Sequence, residues 1–172
     1  MGYVRPFILA ALALTLAASG PAWAQEDLPS EPLPEAKPLW TYITQESPYA
    51  DWQLWPGGAD FGPASEPHGE LGRTFVNTLA AQAIEAGRAE LPPGSIVVHE
   101  GWNASRDRLL SVAVMYKAAG YNPGAGDWYW LLTSPDAAAA ERFLAQGKVA
   151  SCLACHVGEG GNDYMMSVRL GR

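Results

Sequence analysis

Cys152-Leu153-Ala154-Cys155-His156 constrains this chain more than any other stretch of it. Two thiols separated by two residues on a helical turn reach the edge of one porphyrin, and the next residue projects its imidazole beneath the metal. The pattern is that of haem c attachment, with thioethers at Cys152 and Cys155 and His156 as the iron ligand. A redox-active C-x-x-C pair normally opens a helix after an early strand, whereas this motif sits near the end of the chain. It holds the only two cysteines and is followed by histidine. A zinc site would need more ligands close by. One covalently bound haem c is therefore the expected cofactor.

The opposite end carries Arg5, the apolar run Ile8 to Ala18 and the small-x-small pattern Ala22-Trp23-Ala24. Those are the parts of a secretory signal peptide over residues 1–24, so the expected location is the periplasm. The run is shorter than a membrane span, and no other window is long and apolar enough to be one. Removing residues 1–24 takes away Arg5 and no acidic residue, so the net charge passes from −7 to −8. Nucleic acid is excluded as a partner on that balance. Residues 25–38 are rich in Pro and Glu and offer almost nothing to bury, so they read as a disordered lead-in. Residues 39–172 are enough for a single domain.

Within that domain, Phe75, Val76, Leu79, Ala80, Ala83 and Ile84 recur at helical spacing, which predicts an amphipathic helix over 73–87 stopped by Gly87. The β-branched run 95–100 predicts a strand, as does the alternation over 110–117. A third strand is expected at 127–133, aromatic on both faces. Ser134-Pro135-Asp136 reads as a cap before a helix over 137–144, with Gly147 as its stop. The expected fold class is α+β, mainly an antiparallel β-sheet with a few short helices.

A sixth iron ligand would have to come from Met115, Met165, Met166, His68 or His99. Met165 and Met166 follow His156 too closely for an easy path to the other side of a macrocycle. A strand methionine such as Met115 is usually core filler. An open sixth position follows, suited to small diatomic or nitrogenous ligands. The alternative is a six-coordinate electron-transfer cytochrome c.

Taken in order, Trp52-Gln53-Leu54-Trp55-Pro56-Gly57, Pro67-His68-Gly69, Arg73-Thr74-Phe75-Val76-Asn77, residues 93–100, Val114-Met115-Tyr116-Lys117, Gly126-Asp127-Trp128-Tyr129-Trp130, the C-x-x-C-H motif and Asp163-Tyr164 resemble the cytochrome P-460 family. The likeness spans residues 39–172. It implies a mostly antiparallel β domain, usually a homodimer, with a five-coordinate haem c on a proximal histidine, here His156. The family includes hydroxylamine-oxidising enzymes and nitric-oxide-binding cytochromes c-prime of the beta type. Four-helix cytochromes c-prime also carry a late C-x-x-C-H, but three strands and 14 prolines speak against a bundle.

In the hydroxylamine-oxidising relatives a lysine joined to the porphyrin stands where this chain has His99, which weakens the oxidase reading here. His99 is thus either a hydrogen-bonded histidine inside the sheet or a catalytic group in place of the crosslinking residue. The resemblance implies nitric oxide, hydroxylamine or related small nitrogen species at the iron; it indicates no redox partner. His68 is expected to fix a turn. Arg73, Glu100 and Asp163 are expected to hold haem propionates or to pair with each other.

Overall fold

The computed structural model of the protein describes residues 1, 31–135, 143–157, 162–165 and 170. In chain order its elements are α1 (Ala36–Thr41), β1 (Gln53–Leu54), β2 (Gly62–Pro63), β3 (Leu71–Val76), α2 (Thr78–Glu85), β4 (Ile96–Trp102), β5 (Leu109–Lys117), β6 (Trp128–Thr133), β7 (Phe143–Gly147) and α3 (Ala150–His156). Every strand pairing is antiparallel, in the order β1-β3-β4-β5-β6-β7, with β2 also on β3. The fold is a single α+β domain built on one sheet, as the alternation in 95–133 predicts.

Because side chains alternate across a strand, the sheet divides its apolar residues between two cores. One face presents Phe75, Val98, Val112, Val114 and Leu131 to Leu39 and Ile43 from α1 and the turn after it. Leu39 and Ile43 are fully buried, each contributing roughly 2 kcal/mol. The other face presents Val76, Val97, Met115, Trp128 and Trp130 to three alanines of α2 and to Val149, Cys152 and Leu153 around α3. The C-x-x-C-H motif is therefore laid against one face of the sheet.

The helix expected over 73–87 is shorter than its periodicity suggests. Arg73 to Val76 belong to β3, with Phe75 in one core and Val76 in the other, and Leu79 is exposed. β-Branched and aromatic residues opposite β4 override a spacing that only coincides with a helical period. The break falls at Asn77, whose Oδ1 accepts from Ala80 N at 3.1 Å and from Ile96 N at 3.1 Å while Nδ2 donates to Gly94 O at 2.8 Å. One side chain thus caps α2 and pins the start of β4. Asn77→Ala is expected to cost about 2 kcal/mol, the upper end for a cap. The denaturant midpoint should fall at unchanged slope.

The helix expected over 137–144 also differs. Residues 137–142 lie outside the described ones, and Phe143, Leu144 and Gly147 form the edge strand β7, paired with β6. Its alternating exposure matches a strand with one face open. The signal peptide over 1–24 lies outside the described residues, apart from Met1. Of the expected lead-in 25–38, residues 25–30 also lie outside them, while α1 begins at Ala36 with that residue buried. Among the described residues no helix is long and apolar enough to cross a membrane.

Candidate haem site

On α3, Cys152, Cys155 and His156 stand at positions i, i+3 and i+4, which a helix brings onto one face. Both cysteines are free thiols, Cys152 partly buried and Cys155 exposed. Burial, the largest influence, raises the pKa of the Cys152 thiol.

Beside α3 the strand register sets out three rows across the sheet. The first is Val76, Val97, Met115 and Trp130, which the helices cover. The second is Thr74, His99, Ala113 and Leu132; the third is Gly72, Gly101 and Ser111. Apart from His99 and Leu132, nothing in the last two rows is larger than threonine. The second row is only half buried, whereas Phe75, Val98, Val112 and Leu131, facing the other way, are buried. Among the described residues, the strip formed by the second row, next to the C-x-x-C-H helix, is thus left without a full cover of large side chains, while Gly72, Gly101 and Ser111 of the third row are buried.

All three histidines of the chain converge on this strip. The His68 ring lies 5.3 Å from that of His99 and 6.1 Å from that of His156, centroid to centroid, and the Trp130 ring lies 4.7 Å from His156. Two glycines make the approach possible. A Cβ on Gly72 would collide with Cε1 and Nε2 of His99, and one on Gly101 with the backbone carbonyl of His68. Gly72 and Gly101 are direct partners in the β3–β4 ladder, so bare backbone lies under the His99 ring and under the His68 main chain. Gly69, at φ +84°, completes the turn that lowers His68 onto β4.

Hydrogen bonds fix two of the rings. His99 Nδ1 meets Thr74 Oγ1 at 2.9 Å, and His156 Nδ1 meets the Tyr164 carbonyl at 2.8 Å. A carbonyl only accepts, so His156 carries its proton on Nδ1 and keeps the Nε2 lone pair free for a metal. Burial lowers the pKa of all three imidazoles. For His99 it falls to about 4, with His68 and His156 adding to the effect. For His156 the Tyr164 hydrogen bond opposes burial. Neutral imidazoles are the form that ligates metals.

The residues present fit a haem. His68 Nδ1, Ser111 Oγ and Trp130 Nε1 are buried around the strip with no hydrogen-bond partner among the described residues, a cost that natural folds accept where a ligand completes the site. The strip is broad, apolar and floored by small residues, and one neutral imidazole nitrogen is left unengaged beside two thiols. A model of the cytochrome P460 family matches residues 47–167. The chain belongs to the cytochrome P460 family. No curated protein matches the sequence. Membership brings a haem cofactor and the role of a cytochrome, in keeping with the resemblance read from the motifs.

In this cytochrome P460 the predicted site residues Cys152, Cys155, His156 and His99 lie on or beside the same face of the sheet. Sequence reasoning named His68 among the candidate sixth ligands while expecting it to fix a turn, and it missed the glycine floor. A glycine inside a strand, as at positions 72 and 101, is a signal of close approach. Arg73 and Glu100 take the other face and do not meet the strip. Arg73 pairs with Asp60 at 2.9 Å, and Glu100 accepts from Tyr49 Oη and Trp102 Nε1 at 3.0 Å each. Asp163 is bound to Lys117, away from a propionate role. Met115 is 7 % exposed in the core, as expected of filler, and Met165 is buried in the same cluster. Met166 lies outside the described residues.

Proposed function

We propose that this cytochrome P460 is a periplasmic protein carrying one haem c, attached through Cys152 and Cys155 and ligated by His156, and that it binds or redox-converts nitric oxide, hydroxylamine or related small nitrogen species. The observation that carries the reading is the His156–Tyr164 hydrogen bond, which commits Nδ1 and leaves Nε2 for iron, with the His68 ring 6.1 Å from that of His156. When bound, the haem supplies a redox-active iron with affinity for such ligands. The protein supplies the surroundings. With the Thr74 hydroxyl donating to His99 Nδ1, Nε2 of His99 keeps its proton and acts as a donor toward a bound ligand.

His99 is held by Thr74 on one edge and packed over Gly72 on the other, which keeps it in the sheet. The iron keeps an open sixth position in this reading. The test is the spectrum of the purified ferrous holoprotein with and without carbon monoxide. A high-spin, five-coordinate species that binds carbon monoxide is expected, with a ferrous Soret band free of the red shift of lysine-crosslinked relatives. His99→Leu should keep the haem and speed nitric oxide release.

A second reading, the six-coordinate electron carrier, is favoured by one observation: His68 Nδ1 is buried without a partner among the described residues, 6.1 Å ring to ring from His156. A low-spin spectrum that turns high-spin in His68→Ala or His99→Ala would establish it.

A further inference from the structure

Two consecutive residues after the haem motif, Asp163 at φ +51° and Tyr164 at φ +65°, lie in the left-handed region without being glycine. Such a pair persists only where its surroundings hold it, and strain of this kind collects at functional sites. Asp163, its side chain 3 % exposed, accepts from Lys117 Nζ at 2.6 Å and Trp128 Nε1 at 3.2 Å on Oδ1, and from Leu91 N at 2.8 Å on Oδ2. Its own carbonyl also accepts from Trp128 Nε1, at 3.1 Å. Lys117, with a side chain 9 % exposed, comes from the end of β5 and lies over the Trp128 ring. The Tyr164 ring is set against Gly126, where a Cβ would come within 2.7 Å of it.

What this clamp positions is a single atom. The turn at 163–164 directs the Tyr164 carbonyl onto His156 Nδ1 at 2.8 Å. We propose that Asp163, anchored by Lys117 and Trp128 of the sheet, is a positioning residue for the proximal imidazole, fixing through the Tyr164 carbonyl the orientation and hydrogen bonding of His156. Groups that accept from a ligating histidine set its ring orientation and its basicity toward the metal. A neutral carbonyl acceptor keeps the imidazole protonated on Nδ1 while lending the ring partial anionic character, which strengthens the iron–nitrogen bond. Lys117 and Trp128 stand opposite each other in β5 and β6, four residues along from the Ala113–Leu132 pair of the strip.

The inference rests on His156 being the iron ligand, as proposed above. The test uses the intact holoprotein and reads the ferrous iron–histidine stretching band by resonance Raman together with the reduction potential and the thermal midpoint. Asp163→Asn is expected to shift the band to lower frequency and the potential upward. Tyr164→Phe keeps the carbonyl and should leave both at their wild-type values. Should Asp163→Asn fail to accumulate as holoprotein, Lys117→Gln carries the same test from the other side of the pair, and Lys117→Arg, which retains the ion pair, should restore the wild-type band.

Variants that lower the thermal midpoint with band and potential unmoved would overturn the positioning role and leave the pair structural. Absence of any iron–histidine band in wild-type protein with gel-stable haem would instead sink the assignment of His156 as ligand.

Discussion

Cys152→Ala/Cys155→Ala, matured in a host with the cytochrome c assembly system, is expected to show no haem on a denaturing gel, whereas each single substitution keeps one thioether and a weaker stain. His156→Ala should retain covalent haem and lose the iron–histidine band. These opposite outcomes follow from the division of labour proposed for α3, in which two sulfurs would hold the ring edge and one nitrogen the metal. The double variant should also unfold earlier. Among the described residues the strip of Thr74, His99, Ala113 and Leu132 is only half buried, and Ser111 Oγ and Trp130 Nε1 lack partners, so the haemless form is expected to expose apolar sheet and to strand polar atoms. Wild-type protein that carries no gel-stable haem after such maturation would refute covalent attachment altogether.

Strands β4, β5 and β6 were legible because each carries its own signal, β-branched content in β4, alternation in β5 and aromatic content in β6, and a signal within one strand needs no partner to be seen. The C-x-x-C-H motif was legible for a similar reason, since it is local, and α3 sets its Cys152, Cys155 and His156 on one helix face. What escaped depends on register between distant segments. Arg73 to Val76 reads as the first turn of a helix until β4 lies beside it, and Phe143-Leu144 reads as the end of one until β6 does. His68 is separated from His99 by thirty-one residues and from His156 by eighty-eight, and nothing near it in the chain points to either. Arg73 and Glu100 looked available to a haem, but both face away from His99. Their placement follows from strand parity: positions 73 and 100 stand directly opposite one another in the ladder, one place out of step with Thr74 and His99.

Gly72 and Gly101 stand opposite each other in that same ladder, yet alanine at the two positions should give unlike results. At Gly101 the added Cβ meets the backbone carbonyl of His68, with Ser111 Oγ also close, and backbone does not swing aside. The turn carrying His68 is held by the Glu70 N to Trp102 O hydrogen bond at 2.9 Å and by Gly69, whose own Cβ would come within 2.8 Å of that carbonyl. Gly101→Ala should therefore destabilise by about 3 kcal/mol, the upper range for forcing a methyl into packed space. For a chain of this size that lowers the unfolding midpoint by roughly 10 °C.

At Gly72 the collision is with the far edge of the His99 ring, a side chain that can rotate. The ring must leave Gly72 and strain its bond to Thr74, while the backbone stays in register. Gly72→Ala should accordingly unfold within about 1 kcal/mol of wild type, as volume changes that a side chain can absorb do. Its mark should appear in the ferrous carbon monoxide complex, where the C–O stretching frequency reports the polarity facing the ligand. A frequency shifted to the value found in His99→Leu, at near wild-type stability, is the expected result. An unshifted frequency in Gly72→Ala would mean that His99 does not face the bound ligand, and a midpoint drop as large as that of Gly101→Ala would mean that the ring is as immovable as backbone.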